Sequence, residues 1–276
     1  GMDSAAITDH GVMYGVIDFY RAAKAAGINP VLGCEVYVAP GSRFDREAGS
    51  GEDRYYHLVL LAENDQGYSN LMKIVSKGFV EGYYYKPRVD EEILRQYHEG
   101  LICLSACLAG EVQRYMERGL YQQGKETALR YQEIFGKDNY FLELQDHGIA
   151  AQKTVNQALM RLSQEEGIPL AATNDVHYTY ADDAVPHDIL LCIQTGKKVT
   201  DENRMRYEGG QYYCKSEAEM RALFPYAPEA LDNTQKIADR CNVEIEFGVT
   251  KLPRFEVPEG YDSWGYLNKL CSEGMA

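Results

Sequence analysis

The chain has 276 residues, 45% of them apolar and 25% charged. That is the mixture of a globular protein long enough for a real core, in one large domain or two modest ones. With 42 acidic against 28 basic residues the formal net charge is −14. This argues against a free-standing binder of nucleic-acid backbone, whose footprint is basic, but not against a metal-dependent enzyme acting on phosphate, because bound cations reverse the local field. No apolar run approaches the roughly 18 residues that span a bilayer, so no membrane role is expected. The seven cysteines are scattered without a CxxC pair, which disfavours a zinc ribbon and a disulfide scaffold and fits a reducing, cytoplasmic setting.

Strands are expected at Ala5–Thr8, Val31–Val38, His57–Ala62, Leu101–Ser105, Tyr140–Gln145 and Pro169–Thr173, each a short apolar run. Helical patterns lie between them. Val12–Ala26 places Val16, Phe19, Tyr20 and Ala23 on one face and ends at Gly27, and Ala151–Glu166 gathers Val155, Leu159 and Leu162 before Gly167. Strand and helix alternating in this way predict an α/β protein with a largely parallel sheet. Beyond Thr173 the pattern is helical, at Asp183–Gln194, Ser216–Phe224 and Pro228–Cys241, and Val249–Gly260 reads as a linker. A strand almost at the first residue and a helical pattern running to the last suggest a piece of a longer protein.

Function in such folds gathers on loops leaving the carboxyl ends of strands. Thr8-Asp9-His10-Gly11 leaves the first expected strand, Ser105-Ala106-Cys107 the fourth and Asn174-Asp175-Val176-His177 the sixth. Each carries a residue able to ligate a transition metal, and imidazole, carboxylate and thiolate together suit zinc or manganese. Asp175 and His177 are two apart, so an extended segment would aim both the same way. Glu35 lies inside an apolar strand and His57 begins another; a buried carboxylate is costly unless paired or metal-bound. Taken singly, each has a plain reading as a satisfied core or surface residue, and Cys107 as a small core residue. Tyr83-Tyr84-Tyr85-Lys86-Pro87-Arg88 mixes aromatics with two cations, either a contact for a nucleic-acid strand through Lys86 and Arg88 or a surface loop packed by its own tyrosines. His147 follows a strand and could line the pocket, whereas His187 reads as structural.

Thr8-Asp9-His10-Gly11, Gly33-Cys34-Glu35-Val36-Tyr37, His57 to Ala62, Tyr84-Tyr85-Lys86-Pro87-Arg88, Ser105 to Glu111 and Ala172 to Tyr178 occur in one order. This series resembles the family of PHP (polymerase and histidinol phosphatase) domains that open the alpha subunits of bacterial DNA polymerase III, and the likeness runs on to Leu252-Pro253-Arg254-Phe255. The resemblance implies an α/β fold, a distorted seven-stranded (β/α) barrel, with residues 1–247 as the metal-dependent phosphoesterase domain and 248–276 as the linker and start of a polymerase palm. It implies up to three divalent metal ions, held by His10, Glu35, His57, Cys107, Asp175 and His177, with Asp9, His10, Asp175 and His177 as catalytic residues. The activity implied is 3′→5′ exonuclease proofreading at a DNA 3′ end. Members lacking the ligands serve instead as a scaffold that docks a separate proofreading exonuclease among other replisome subunits; a small-molecule phosphatase is a third reading. The remaining domains of the polymerase chain would be partners, and this piece alone would not polymerise DNA. The family's opening His-x-His strand has no counterpart here, so the first strand of the barrel is expected to be missing.

Overall fold

A computed structural model describes residues 2–47 and 54–275 of the chain. The six expected strands are all present, as β1 (Ser4–Ile7), β2 (Asn29–Val38), β3 (Tyr56–Ala62), β6 (Leu101–Leu104), β7 (Tyr140–Leu144) and β8 (Leu170–Ala172). Two more, β4 (Tyr83–Tyr84) and β5 (Lys86–Val89), lie where a loop was the alternative reading. The helices are α1 (Val16–Ala25), α2 (Asp65–Val80), α3 (Glu91–Tyr97), α4 (Glu111–Glu117), α5 (Tyr121–Phe135), α6 (Ala150–Glu166), α7 (Ala184–Thr195), α8 (Glu217–Leu223), α9 (Pro228–Arg240) and α10 (Ser263–Gly274). Helix α1 starts four residues later than its apolar pattern suggests. The chain from Asp9 to Gly11 still bonds to the edge of β2, through Glu35 N–H to the Asp9 carbonyl and Gly11 N–H to the Glu35 carbonyl, and must turn before a helix can begin. Local signals hold elsewhere: Gly167 closes α6 with a left-handed φ of 67°, and Ser216 opens α8 in a reciprocal cap with Glu219.

The strands form one curled sheet in the order β4-β5-β2-β3-β6-β7-β8, with β1 also on β2. It is mixed rather than largely parallel. β1 and β5 run parallel to β2, and β7 parallel to β6 and β8, but β3 is antiparallel to both of its neighbours. Alternation along each strand separates two faces. On the outer face Val36, Leu58, Leu60, Cys103 and Leu142 pack against Leu71 and Ile74 of α2, Tyr131 of α5 and Leu159 of α6. On the inner face Val31, Val59, Leu61, Ile102, Leu104, Phe141 and Ala171 enclose a smaller apolar cluster with Ile237 and Ala238 of α9. Each fully buried leucine or isoleucine contributes about 1.5–3 kcal/mol relative to an exposed one. Helix α9 and the residue after it bridge β8 and β2 across the inner face: Asn233 donates to the Leu170 carbonyl of β8, while Asn29 of β2 donates to the carbonyls of Ala238 and Cys241. This is a distorted, incompletely closed α/β barrel.

The chain divides into two compact units, Gly1–Val243 and Glu244–Ala276. The second holds α10, whose N-cap Asp262 accepts from the Gly265 amide. Among the described residues no helix is long and apolar enough to cross a membrane.

Candidate metal centre

The register of the sheet assembles the site. β1 pairs with β2 from Ser4 opposite Asn29 to Ile7 opposite Leu32, and the same register continues to a bridge between His10 and Glu35. On the other edge of β2, Tyr37 pairs with His57 and Glu35 with Val59, so Glu35, Tyr37 and His57 share the inner face. A further bridge joins His57 to Gly110, and the His57 amide donates to the Ala109 carbonyl, which brings the loop after β6 and its Cys107 alongside. Three chain segments distant in sequence thus converge at one end of the barrel, above the inner apolar cluster.

His10, Glu35 and His57 offer ligand atoms that all lie within 4.8 Å of one another. His57 Nδ1–H donates to Glu35 Oε1 at 2.6 Å, and His10 Nδ1 stands 3.7 Å from Oε2. Cys107 Sγ is 3.7 Å from His57 Nδ1 and 3.8 Å from Glu35 Oε1. The His177 ring faces His10 with centroids 5.9 Å apart, and its Nδ1 donates to the Asp175 carbonyl at 2.7 Å, with Asp175 Oδ1 at 3.7 Å. The structure therefore brings together all six of the residues expected as ligands. It does so differently at one place: Asp175 is not extended but left-handed, at φ 44°, so a tight turn rather than strand alternation sets it beside His177. Asp9 is exposed, its carboxylate beside Gly15 at the start of α1, away from the cluster.

The electrostatics are those of a site short of positive charge. Burial raises the Asp175 carboxyl above its ordinary value, the charge of Glu35 adds to this, and the nearby histidines only partly offset it. Burial, with Glu35 and Asp175, likewise pushes the Cys107 thiol well up. Burial works the same way on Glu35, but the His57 hydrogen bond and the charges of His57, His10 and His177 outweigh it and hold the carboxyl low. Burial lowers the His10 imidazole. Two buried carboxylates, a thiol and three imidazoles gathered in one place are a donor set that a divalent cation satisfies at once. The mixture of nitrogen, oxygen and sulfur suits zinc and admits manganese.

Aromatic rings surround the donors. Tyr37 and Tyr55 pack on His57, with centroids at 5.2 and 6.0 Å, and Tyr207 and His187 on His177 at 4.5 and 5.7 Å. His187 is thus a neighbour of the site and not merely a helix residue. His147 does not line it with a free ring: it is buried, stacked on Tyr212 at 3.9 Å, with Nε2–H donating to the Asn174 carbonyl and Nδ1 accepting from Gln152. Lys86 is partly exposed, with its Nζ over the Tyr37 ring. Arg88, by contrast, is not available as a DNA contact. It is fully buried in β5, and its guanidinium donates to the carbonyls of Gly82, Arg43 and Asp45. Glu143 is buried on β7, where its neighbours along the strand, Leu142 and Leu144, are apolar. It carries the same signal that singles out Glu35 in the sequence, a carboxylate inside an apolar strand, and the motif-bearing loops draw attention away from it.

Residues 1–147 match the family model described as the PHP domain. The chain belongs to the PHP domain family. Among curated proteins it is similar over its whole length to a DNA polymerase III subunit alpha of Treponema pallidum, at 47% identity, with 24% of that protein covered. It is also similar to DNA polymerase III subunit alpha of Borreliella burgdorferi, at 44% over 99% of the chain, and of Thermus aquaticus, at 42% over 98%, covering 24% and 23% of those proteins. The chain therefore spans about a quarter of the length of these relatives.

Proposed function

We propose that this chain is the PHP module of a replicative DNA polymerase alpha subunit, and that its metal centre hydrolyses the terminal phosphodiester at a DNA 3′ end. The observation that carries the reading is the convergence of His10, Glu35 and His57 within ligand distance, with Cys107 against His57 and Glu35 and with Asp175 and His177 alongside. In this reading those six residues hold divalent ions, zinc or manganese. When bound, such ions lower the pKa of a coordinated water and stabilise charge on the phosphate and on the leaving oxygen. The chain's own residues do the rest. Glu35 fixes the His57 ring through its hydrogen bond, the Asp175 carbonyl fixes the His177 ring, and the tyrosine rim narrows access to the donors. Lys86 stands at the partly exposed side of the site as a contact for backbone phosphate, whereas the position of the Asp9 carboxylate beside Gly15 assigns it no part in the step. The net charge of −14 accords with a module whose hold on DNA comes mainly from other parts of a longer polypeptide.

The test uses the full-length polypeptide. Nucleotide release from a DNA 3′ end is measured with zinc or manganese for wild type, His10→Ala and His177→Ala. Loss in both variants, with circular dichroism unchanged, is the expected result. No release by wild type with either metal, while primers are still extended, would favour the scaffold role and docking of a separate exonuclease.

A further inference from the structure

Beneath the donors lies a layer of buried polar side chains, and Glu143 is its hub. One carboxylate oxygen, Oε2, accepts the Ala106 backbone N–H at 3.0 Å; the other, Oε1, accepts the Thr173 hydroxyl at 2.5 Å and the Gln145 amide at 3.0 Å. The Glu143 N–H in turn donates to Ser105 Oγ at 2.8 Å, and Gln113 donates to Ser105 Oγ and to the Ala106 carbonyl. Glu143 therefore touches the loop after β6 and the loop after β8, from the strand that lies between them. Cys107 is the next residue after Ala106, and Asp175 lies two beyond Thr173.

Both loops are strained close to where Glu143 holds them, one at Ala106 itself and the other two residues beyond Thr173. Among the described residues only three non-glycine residues have positive φ, and two of these are Ala106, at 67°, and Asp175, at 44°. Such backbone persists only where its surroundings over-determine it, at about 1–3 kcal/mol each. A short, fully buried carboxylate with two oxygens directed at two different loops is such a determinant. A glutamine of the same shape has one acceptor oxygen in place of two, so its amide NH2 would face an obligate donor, either the Ala106 N–H or the Gln145 NH2, and forfeit that bond.

We propose that Glu143 is the positioning residue of the metal centre: it sets the Cys107 and Asp175 loops so that thiolate and carboxylate face the ion together with His57 and Glu35. The proposal rests on the metal-site reading above. Glu143 itself does not ligate; it acts through the backbone and hydroxyl groups it holds, as partners of metal ligands commonly do.

Cobalt(II) added to the metal-free protein is the probe, because a cysteine thiolate bound to cobalt has a near-ultraviolet charge-transfer band. Wild type should show the band and Cys107→Ser should lose it, which assigns it to that thiol. Glu143→Gln should weaken cobalt affinity about 10–100-fold and diminish the band, with far-ultraviolet circular dichroism unchanged. Thr173→Val should weaken binding in the same direction and Thr173→Ser should restore it; this pair carries the test if Glu143→Gln does not fold. Wild-type affinity and band in folded Glu143→Gln, or in Thr173→Val where Glu143→Gln does not fold, would overturn the proposal and leave the metal site standing. Failure of wild type to bind cobalt would overturn the metal-site reading and the proposal with it.

Discussion

Replacing His147 by alanine should destabilise the protein by about 3–5 kcal/mol, through a side chain that never touches the metal donors. The ring is buried and stacked on Tyr212 with centroids 3.9 Å apart, and such a pair contributes about 0.5–1.5 kcal/mol beyond its burial. Its removal also strands the Asn174 carbonyl and the Gln152 amide, each bonded to the ring at 2.8 Å, at about 1–3 kcal/mol apiece where no water replaces them. At about 2–4 °C per kcal/mol for a chain of this size, the melting temperature should fall by about 10 °C. The pH dependence provides a second check. Burial holds the His147 imidazole below the ordinary histidine value of 6.5. The native state then binds fewer protons than the unfolded one on the acid side of 6.5, so this residue's contribution is present above that pH and is lost as pH falls through the lowered value. Urea unfolding at pH 7.5 and 5.5 should therefore show the gap between wild type and His147→Ala narrowing in acid. A gap under about 1 kcal/mol at pH 7.5, or one that widens in acid, would refute the reasoning.

Arg88→Ala should cost about 3–5 kcal/mol in denaturant titration, since it empties a buried site and strands backbone carbonyls, while Lys86→Ala should stay within about 1 kcal/mol; equal effects would mean that Arg88 is not buried as described. Thiol labelling of the native protein, read by mass spectrometry, should modify the exposed Cys214 and Cys271 first. Cys34 and Cys241, both buried with their thiols pushed up to about 12, should react only on unfolding, and reaction at Cys34 ahead of Cys214 would contradict the packing of β2.

Much of the site is legible in the amino-acid sequence. An apolar run reports a strand because alternation and β-branched packing are local properties, and Glu35 stands out because a carboxylate within such a run needs a partner. The spacing of Asp175 and His177 marks them as a pair, although the turn that unites them is invisible there: a left-handed aspartate leaves no trace in composition. The lysine and arginine of the segment preceding α3 look alike in sequence. Two apart on β5, they project from the same face, and only the chain at residues 43–45, folded over Arg88 with its carbonyls on the guanidinium, decides that the arginine is buried and the lysine is not.

The residue types at the candidate metal centre, the strands that carry them and the family they signal are thus determined by the sequence alone, since each motif depends on neighbours within a few positions. The direction of β3, the enclosure of His147 and the reach of Glu143 to two loops are decided by the tertiary structure. Each depends on register between segments 18 to 30 residues apart. Register is selected by which side chains can be buried together across the whole sheet, and no local window contains that comparison.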